Sequence, residues 1–221
     1  MQFVYHKLAG SQSLEIKGEK FKHLIKARRK KVGESLHARN LEDGFLYTYT
    51  IENINRNEAE LSLLSKTKSQ KLPSDLNLGW AVVDPKIIEK ILPFLNEIGV
   101  GGINFVYTDF SQKNFKLDLE RMERILINSS EQCGRTKLLQ IKIYENLQEY
   151  LNSYPNSFIL DFGGKKIDKT FKSESILVGC EGGFSKEERG LFDQDKILGL
   201  ESPLILKSET AVCSLGAKLL L

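Results

Sequence analysis

The stretch ILVGCEGGFSKEE, residues 176–188, places a glycine-rich turn directly after a buried apolar run. Ser185 and Glu188 have the spacing of a capping box, which predicts that a helix begins there. Such turns are common ligand sites, because glycine lets main-chain groups approach a ligand. The turn lacks the Gly-Lys-Ser/Thr of a phosphate loop, and Glu181 would repel a triphosphate. We expect an uncharged or cationic ligand; a tight turn without a ligand is the alternative.

Two further stretches have residue types that could do chemistry. In LILKSETAVCSL, residues 204–215, a predicted buried strand runs into a helix of small residues, which could be a site for close packing or an ordinary capped C-terminal helix. In EQCGR, residues 131–135, Arg135 follows a predicted helix end. Its guanidinium could hold a phosphate or a developing anion. A surface arginine favoured by the helix dipole is the alternative.

The N-terminal part of the chain carries a local excess of positive charge. Residues 17–31 contain eight Lys and Arg and one acidic residue, Glu19. A solvated helix face is the usual explanation, but this excess favours a partner with regularly placed negative charge, such as nucleic acid. The candidate RNA-binding residues are Lys22, Lys26, Arg28, Arg29, Lys30 and Lys31.

The elements that must position these residues fall into two groups. The first 64 residues predict strands around one helix at residues 19–33, with a two-residue hairpin turn at Asp43-Gly44. Residues 65–75 are polar and without periodicity, which predicts a linker. Beyond them, strands alternate with helices, which is typical of a mostly parallel sheet covered on both faces. LILK at residues 204–207 is predicted as one of its strands.

Composition excludes several classes of protein. The chain has 221 residues with 41% apolar residues, and no run has the roughly 18 apolar residues that a membrane span needs. Its first ten residues lack the apolar region of a signal peptide, so we expect a cytoplasmic protein. Cys133, Cys180 and Cys213 are predicted to be free thiols. The three histidines are scattered, and no metal site is expected.

These motifs, taken in their order along the chain, resemble one known family. GCEGGFSKEE resembles the G-P-E-G-G-[FL]-[ST]-x-x-E motif of the SPOUT methyltransferase superfamily. LILKSETA is similar to its I-L-R-x-E-T-A motif, EQCGR to E-Q-x-x-R, and NEIGV to E-L-G-V. HLIKARRKKVGESLHARN resembles the H-x-x-x-V-L-R-x-x-x-G-D-x-[IL] opening. Along nearly its full length, the chain therefore resembles the RsmE-type ribosomal RNA methyltransferases.

The resemblance implies a fold and an activity. Residues 1–70 would form a PUA-like RNA-binding β-barrel with a linker, and residues 71–221 an α/β SPOUT domain with a trefoil knot in roughly 157–221. The activity would be S-adenosylmethionine-dependent methylation of N3 of a specific uridine in 16S ribosomal RNA. The implied partners are this RNA or the small ribosomal subunit and a second copy of the chain, in a homodimer without metal or membrane.

The resemblance also implies site residues. Arg135 is the candidate for stabilising or orienting the uracil or its phosphate, and Glu209 or Glu181 for accepting a proton. The alternative for either glutamate is a structural role, since a helix N-terminus favours a carboxylate at Glu209. The cofactor would contact the glycine turn and the loop before LILK. The residues predicted to bind it are Leu160, Asp161, Gly179, Glu181, Gly182, Leu200, Ser202, Leu206 and Thr210.

The chain departs from the family pattern at several positions. Cys180 replaces the proline of the glycine motif, Phe94 replaces a frequent lysine, and Lys207 replaces an arginine. Relatives have L-G-x-R before I-L-R, whereas this chain has ESPL at residues 201–204 and a Leu-Gly pair only earlier, at residues 198–199. Of all the cofactor contacts that the resemblance implies, those of this loop are therefore the least well supported by the family pattern.

Two other functions fit the same sequence. One is a SPOUT methyltransferase that acts on another RNA base or on ribose. The other is a non-catalytic RNA-binding protein of ribosome assembly, which would use the basic N-terminal part equally well. The glycine turn discriminates between a methyltransferase and the non-catalytic protein, since a pure binding module does not need it.

Overall fold

The computed structural model describes residues 2–69, 74–168 and 170–221. They belong to two compact units, Met1–Pro73 with Ile127–Leu138 and Ser74–Leu126 with Leu139–Leu221. The predicted domain boundary at residues 70 and 71 lies outside the described residues. None of the helices in the described ranges is long and apolar enough to cross a membrane.

The first unit contains a five-stranded mixed sheet in the order β1-β3-β4-β5-β2. Leu14 and Ile16 in β2 are buried while their neighbours in the strand are exposed, as expected for a strand with one face on the core. Tyr49, Ile51 and Leu61 form the centre of that core. The strands are β1 (Val4–Tyr5), β2 (Ser13–Lys17), β3 (Ser35–Arg39), β4 (Phe45–Ile54) and β5 (Glu58–Lys68).

The predicted helix at residues 19–33 is shorter than expected. A four-residue helix α1 (Gly18–Phe21) continues as a π-helical turn, Lys22–Ala27, in which Arg28 N donates to His23 O at 3.0 Å. Arg29 then adopts a φ of 55°, which ends the helix. A left-handed non-glycine residue is uncommon, so the apolar periodicity could not predict this end.

The predicted two-residue hairpin turn is also wrong. β3 and β4 do pair as an antiparallel hairpin, but five residues connect them. Asn40 Oδ1 accepts hydrogen bonds from the backbone N–H groups of Glu42 at 3.0 Å and Asp43 at 3.2 Å, which folds the longer loop. β5 runs to Lys68, into the predicted linker, and residues 70–73 of that linker lie outside the described residues.

The second unit contains a six-stranded sheet in the order β11-β9-β10-β6-β7-β8, in which every pairing is parallel. The predicted α/β alternation is thereby confirmed. The strands are β6 (Asn77–Ala81), β7 (Gly102–Val106), β8 (Gln140–Tyr144), β9 (Phe158–Lys166), β10 (Ser175–Val178) and β11 (Ile197–Gly199). The helices that follow α1 are α2 (Pro85–Ile98), α3 (Leu119–Cys133), α4 (Leu147–Ser153), α5 (Lys186–Arg189) and α6 (Ser208–Leu220).

The prediction of one strand in this sheet is wrong. LILK at residues 204–207 forms no strand: Leu204 and Ile205 are 75% and 83% exposed. The side chain of Ser202 makes hydrogen bonds with the backbone N–H and C=O of Leu204, and the intervening Pro203 has no N–H to give to a sheet. The strand next to β9 is instead β11, three residues long, which periodicity missed.

The direction of winding changes within this sheet. From β6 the chain adds β7 and β8 on one side, and β9, β10 and β11 all lie on the other, so the direction of winding changes between β6 and β10. In open parallel sheets, ligands bind outside the carboxyl ends of the strands at such a point. β9 also departs from regular pairing with β11: Ile197 pairs with Ile159, but Leu198 pairs with Lys165, which leaves residues 160–164 as a bulge.

We predict that Tyr150→Phe destabilises the chain by about 1–3 kcal/mol at neutral pH, because the Tyr150 hydroxyl contacts the buried hydroxyls of Ser157 at 2.7 Å and Ser175 at 2.6 Å. Burial raises the pKa of Tyr150 from 10.0 to about 12. The unfolded chain therefore ionises first, and the stability from Tyr150 present below pH 10 is lost as the pH rises toward 12. Urea unfolding at several pH values measures both effects.

Tyr154→Phe is the matched control, because the Tyr154 hydroxyl makes no hydrogen bond within the described part of the chain. A Tyr150→Phe protein as stable as the control would contradict the buried network.

Candidate functional site

A cavity of about 610 Å³ lies at the carboxyl ends of β9, β10 and β11 in the second unit. Its walls come from the β9 bulge, the glycine turn, the loop after β11 and the first turn of α6. The predicted cofactor residues that line it are Leu160, Asp161, Gly179, Glu181, Leu200, Ser202 and Leu206. Gly182 and Thr210 are not among its lining residues. The glycine turn and the loop before LILK are thus brought together, although they are far apart in sequence.

The glycine turn is a tight main-chain reversal. Gly183 N donates to Cys180 O at 2.9 Å, and Gly183 has a φ of 71°, a conformation that favours glycine. A Cβ atom on Gly179 would lie 3.1 Å from the ring of Phe184 and 3.2 Å from Gly183 Cα. A Cβ on Gly182 would meet the ring of Phe110 at 3.1 Å. The turn is therefore closed by hydrogen bonding even though Cys180 stands where relatives have proline.

A buried hydrogen-bond relay holds the start of the turn. Trp80 Nε1 in β6 donates to Ser208 Oγ at 2.8 Å, and Ser208 Oγ donates to Gly179 O at 2.5 Å. Trp80 is fully buried and Ser208 is 4% exposed. The relay joins β6, the end of β10 and the first residue of α6 at the floor of the cavity. Sequence reasoning missed Ser208; its place directly before Glu209, at a predicted helix start, was the available signal.

The capping box confirms the predicted helix start after the turn and adds an unforeseen partner. Glu188 N donates to Ser185 Oγ at 3.1 Å, and Ser185 N donates to Glu188 Oε2 at 2.9 Å. Ser185 Oγ also donates to Asp109 Oδ2 at 2.5 Å, while Asp109 N donates to Glu188 Oε1 at 2.9 Å. The loop after β7 is therefore attached to the far side of the glycine turn.

An ion pair attaches the turn to the β9 bulge. Arg189 Nη1 lies 2.5 Å from Asp161 Oδ2, and Nη2 lies 3.3 Å from Oδ1. Arg189 Nε donates to Phe184 O at 3.1 Å. The Asp161 side chain is only 7% exposed, so its carboxylate is committed to a two-point pair with Arg189. Sequence reasoning missed Arg189, because nothing local to SKEERG indicates a partner 28 positions earlier.

The first turn of α6 contains an unusual carboxylate, that of Glu209, which is not among the lining residues of the cavity. Glu209 Oε2 is buried and has no hydrogen-bond partner among the described residues. Buried polar atoms are nearly always paired, so an unpaired carboxylate oxygen calls for an explanation such as a ligand or a catalytic role. One turn further, burial and the neighbouring Glu209 raise the pKa of Cys213. Thr210, beside Glu209, is exposed.

Arg135 lies in the first unit, two residues after the end of α3. It is only 7% exposed, and its Nε donates to Lys137 O at 2.7 Å. Burial lowers the pKa of Arg135 to about 10, so it stays a cation at neutral pH. The alternative of a surface arginine is therefore wrong. Arg135 and Glu209 belong to different units, and their joint role stays a prediction.

The basic segment, residues 22–31, is mostly available to solvent. Lys22 is paired with Glu19 at 2.6 Å, and Lys30 with Glu34 at 3.0 Å. The other four predicted RNA-binding residues are exposed and form no ion pair within the described ranges; they are Lys26, Arg28, Arg29 and Lys31. In those ranges, no group of His, Cys, Asp and Glu could hold a metal ion.

Family models match both units of this architecture. An RNA methyltransferase domain matches residues 70–220, and an RNA methyltransferase PUA domain matches residues 16–64. The predicted fold class, a PUA-like domain followed by an α/β methyltransferase domain, is thereby confirmed, and the trefoil knot stays a prediction. By fold and by family model, the class of protein is an RNA methyltransferase.

Comparison with individual proteins identifies the family within this class. The chain is 43% identical over 216 residues, 96% of each chain, to the ribosomal RNA small subunit methyltransferase E of Helicobacter pylori. It resembles the crystal structure of a probable rRNA-methyltransferase from Porphyromonas gingivalis, with a TM-score of 0.83, 20% identity and coverage of 99% and 98%. The S-adenosyl methionine-bound enzyme of Neisseria gonorrhoeae gives a TM-score of 0.81 at 19% identity, with coverage of 98% and 95%. The chain belongs to the ribosomal RNA small subunit methyltransferase E family.

We predict that Ser208→Ala destabilises the chain by about 1–3 kcal/mol, because it leaves the buried Trp80 N–H and the Gly179 carbonyl without their partner. Urea unfolding measures the loss. Trp80 is the only tryptophan, so the near-ultraviolet circular dichroism and fluorescence of the folded variant report on the broken relay directly.

Ser214→Ala, on the same helix, is the control, and it should change neither the tryptophan signal nor the stability by a comparable amount. An unchanged tryptophan spectrum in Ser208→Ala would show that the relay does not order the site.

Proposed function

We propose that this chain uses S-adenosylmethionine to methylate N3 of a specific uridine in 16S ribosomal RNA. The observation that carries the proposal is the cavity at the carboxyl edge of the parallel sheet, which is lined by both the glycine turn and the loop after β11. The chain's membership of the methyltransferase E family points in the same direction.

The residues of the cavity fit this cofactor. Its volume of about 610 Å³ lies within the range of about 300–1,000 Å³ that is typical of small-molecule sites. Val178, Leu200 and Leu206 provide apolar surface, and the glycine turn exposes main-chain groups. Glu181 is exposed at the cavity wall, where a carboxylate suits a ligand that carries positive charge. These features match an adenosine joined to a cationic sulfonium and an amino acid.

The chemistry requires alignment and the removal of one proton. S-adenosylmethionine, when bound, supplies an electrophilic methyl group. The cavity walls hold the donor in position, which is the main contribution that an enzyme makes to such a transfer. The uracil must be unpaired or flipped out, because N3 lies on its Watson–Crick edge. Glu209, whose Oε2 is buried and unpaired in the described part of the chain, is the proposed proton acceptor. Arg135 is the proposed cation that stabilises the uracil anion.

Under this proposal, one part of the chain binds RNA and the other binds the methyl donor. Residues 1–70, with the exposed cations Lys26, Arg28, Arg29 and Lys31, would hold the RNA. Residues 71–221 would bind the methyl donor and carry out the transfer. We further propose that the enzyme acts in the cytoplasm as a homodimer on the RNA or the small subunit, and that Gly182 and Thr210 complete the cofactor contacts.

A second candidate function is methylation of another RNA base or of ribose, because the same cavity would hold the methyl donor for any of these acceptors. A non-catalytic RNA-binding role is disfavoured by the same cavity, since binding RNA needs no small-molecule site with a buried relay at its floor.

We predict that the purified chain binds S-adenosylmethionine in the presence of EDTA, because its cavity holds no metal-ligand cluster in the described residues. Ala211→Leu, which adds bulk at the cavity wall, should weaken this binding at least about tenfold, as overpacking displaces the ligand or strains the wall. Isothermal titration calorimetry measures both.

Ala217→Leu makes the same change on the same helix outside the cavity and should bind like the wild type. Absence of binding heat with the wild type would refute the proposed cofactor, and equal affinity for Ala211→Leu would refute its position.

A further inference from the structure

A second cleft lies within the first unit, and the function proposed above uses only one of its lining residues, Arg28. It encloses about 450 Å³ between the π-helical turn and the last turns of α3. We call it the α3 cleft. Its lining residues are Val4, Glu19, Lys20, His23, Leu24, Arg28, Asn128, Glu131 and Gln132. Its volume falls in the range of about 300–1,000 Å³ in which small molecules bind, so it could hold a group the size of one nucleotide.

The acidic residues of the α3 cleft are neutralised by lysines. Glu131 Oε1 lies 3.4 Å from Lys20 Nζ and accepts from Tyr5 N at 2.6 Å. Lys20 Nζ also donates to Tyr5 O. Glu19 is paired with Lys22 at 2.6 Å. Each lining carboxylate therefore has a lysine partner, which leaves the guanidinium of Arg28 available for an anion.

Four other polar side chains in the α3 cleft have no partner of their own. His23, Arg28, Asn128 and Gln132 are exposed, and within the ranges that the structure describes their side chains make no hydrogen bond or ion pair. A guanidinium is suited to phosphate. Amide side chains both donate and accept, so they can pair with the edge of a nucleobase. Beneath them, the buried Val4 and Leu24 provide apolar surface for a base.

The backbone beside the α3 cleft has an irregular geometry. Lys22–Ala27 forms a single π-helical turn, and Arg29 is held at a φ of 55°. Single π-helical turns occur frequently at functional sites, and residues in sparsely populated conformations cluster at binding sites. This geometry brings Arg28 into the lining of the cleft directly after the turn that carries His23.

We propose that the α3 cleft binds one unpaired nucleotide of the RNA, with Arg28 and His23 at its phosphate and Asn128 and Gln132 at the edge of its base. This inference rests on the proposed action on RNA and adds a second point of recognition, on the first unit, for a nucleotide other than the one that is methylated. Single-stranded segments expose the base edges that such a cleft would read.

The test is fluorescence anisotropy of the full chain with a labelled single-stranded oligouridine and with a blunt RNA duplex, at several salt concentrations. Asn128→Ala combined with Gln132→Ala should weaken oligouridine binding about tenfold, the value of a lost base contact, and leave duplex binding unchanged. Arg28→Ala should lower the slope of log affinity against log salt by about 0.7, the value of one phosphate contact on a single strand.

Asn57→Ala and Arg56→Ala are the matched controls, because both residues are exposed in the first unit and do not line the α3 cleft. Asn57→Ala should bind oligouridine with the wild-type affinity. Arg56→Ala should keep the wild-type slope of log affinity against log salt. Circular dichroism and S-adenosylmethionine affinity verify that the cleft variants are folded.

The inference is overturned if the amide double variant binds oligouridine like the wild type, if it loses duplex binding equally, or if the wild type binds neither RNA. Methyl transfer to ribosomal RNA by the wild type is measured separately. If the wild type transfers the methyl group and the amide variant binds RNA like the wild type, only the proposed role of the α3 cleft is refuted. Absence of transfer refutes the proposed function, while the binding comparison still decides whether the cleft holds RNA.

Discussion

The hydrogen-bond relay from Trp80 through Ser208 to the carbonyl of Gly179 is the constraint on which the candidate site depends. A buried indole N–H needs an acceptor, and the only hydrogen of the Ser208 hydroxyl is then directed to Gly179. One serine therefore fixes the end of β10 and the start of α6 against β6. Without it, the buried indole N–H of Trp80 and the carbonyl of Gly179 would both lose their partner at the floor of the cavity.

Two further attachments hold the rest of the turn. Asp109 joins the loop after β7 to the capping box, and Arg189 joins α5 to Asp161 in the β9 bulge. The turn is thus fixed at its start, at its end and along its side before any ligand arrives. Preorganisation of this kind lowers the conformational cost of binding and suits a site whose task is alignment.

Local sequence patterns predicted those features that depend on neighbouring residues. The capping box at Ser185 was correct, because both of its hydrogen bonds join residues only three positions apart. Most of the predicted cofactor residues line the cavity, because motif resemblance carries information about distant parts of the chain.

Ser208 and Arg189 were missed, because their partners lie 128 and 28 positions away. LILK was misplaced, because an apolar run alone does not reveal whether its side chains are buried. The homodimer and the knot stay predictions.

The central claim is that the cavity beside the glycine turn serves methyl transfer to N3 of a uridine in small-subunit RNA. Mass spectrometry of nucleosides from that RNA tests it most directly, in a strain that lacks this chain and in the same strain with the gene restored. The account predicts that N3-methyluridine disappears in the deletion strain, returns with the wild-type chain and returns to a lower level with Ala211→Leu. Persistence of N3-methyluridine in the deletion strain would contradict the account.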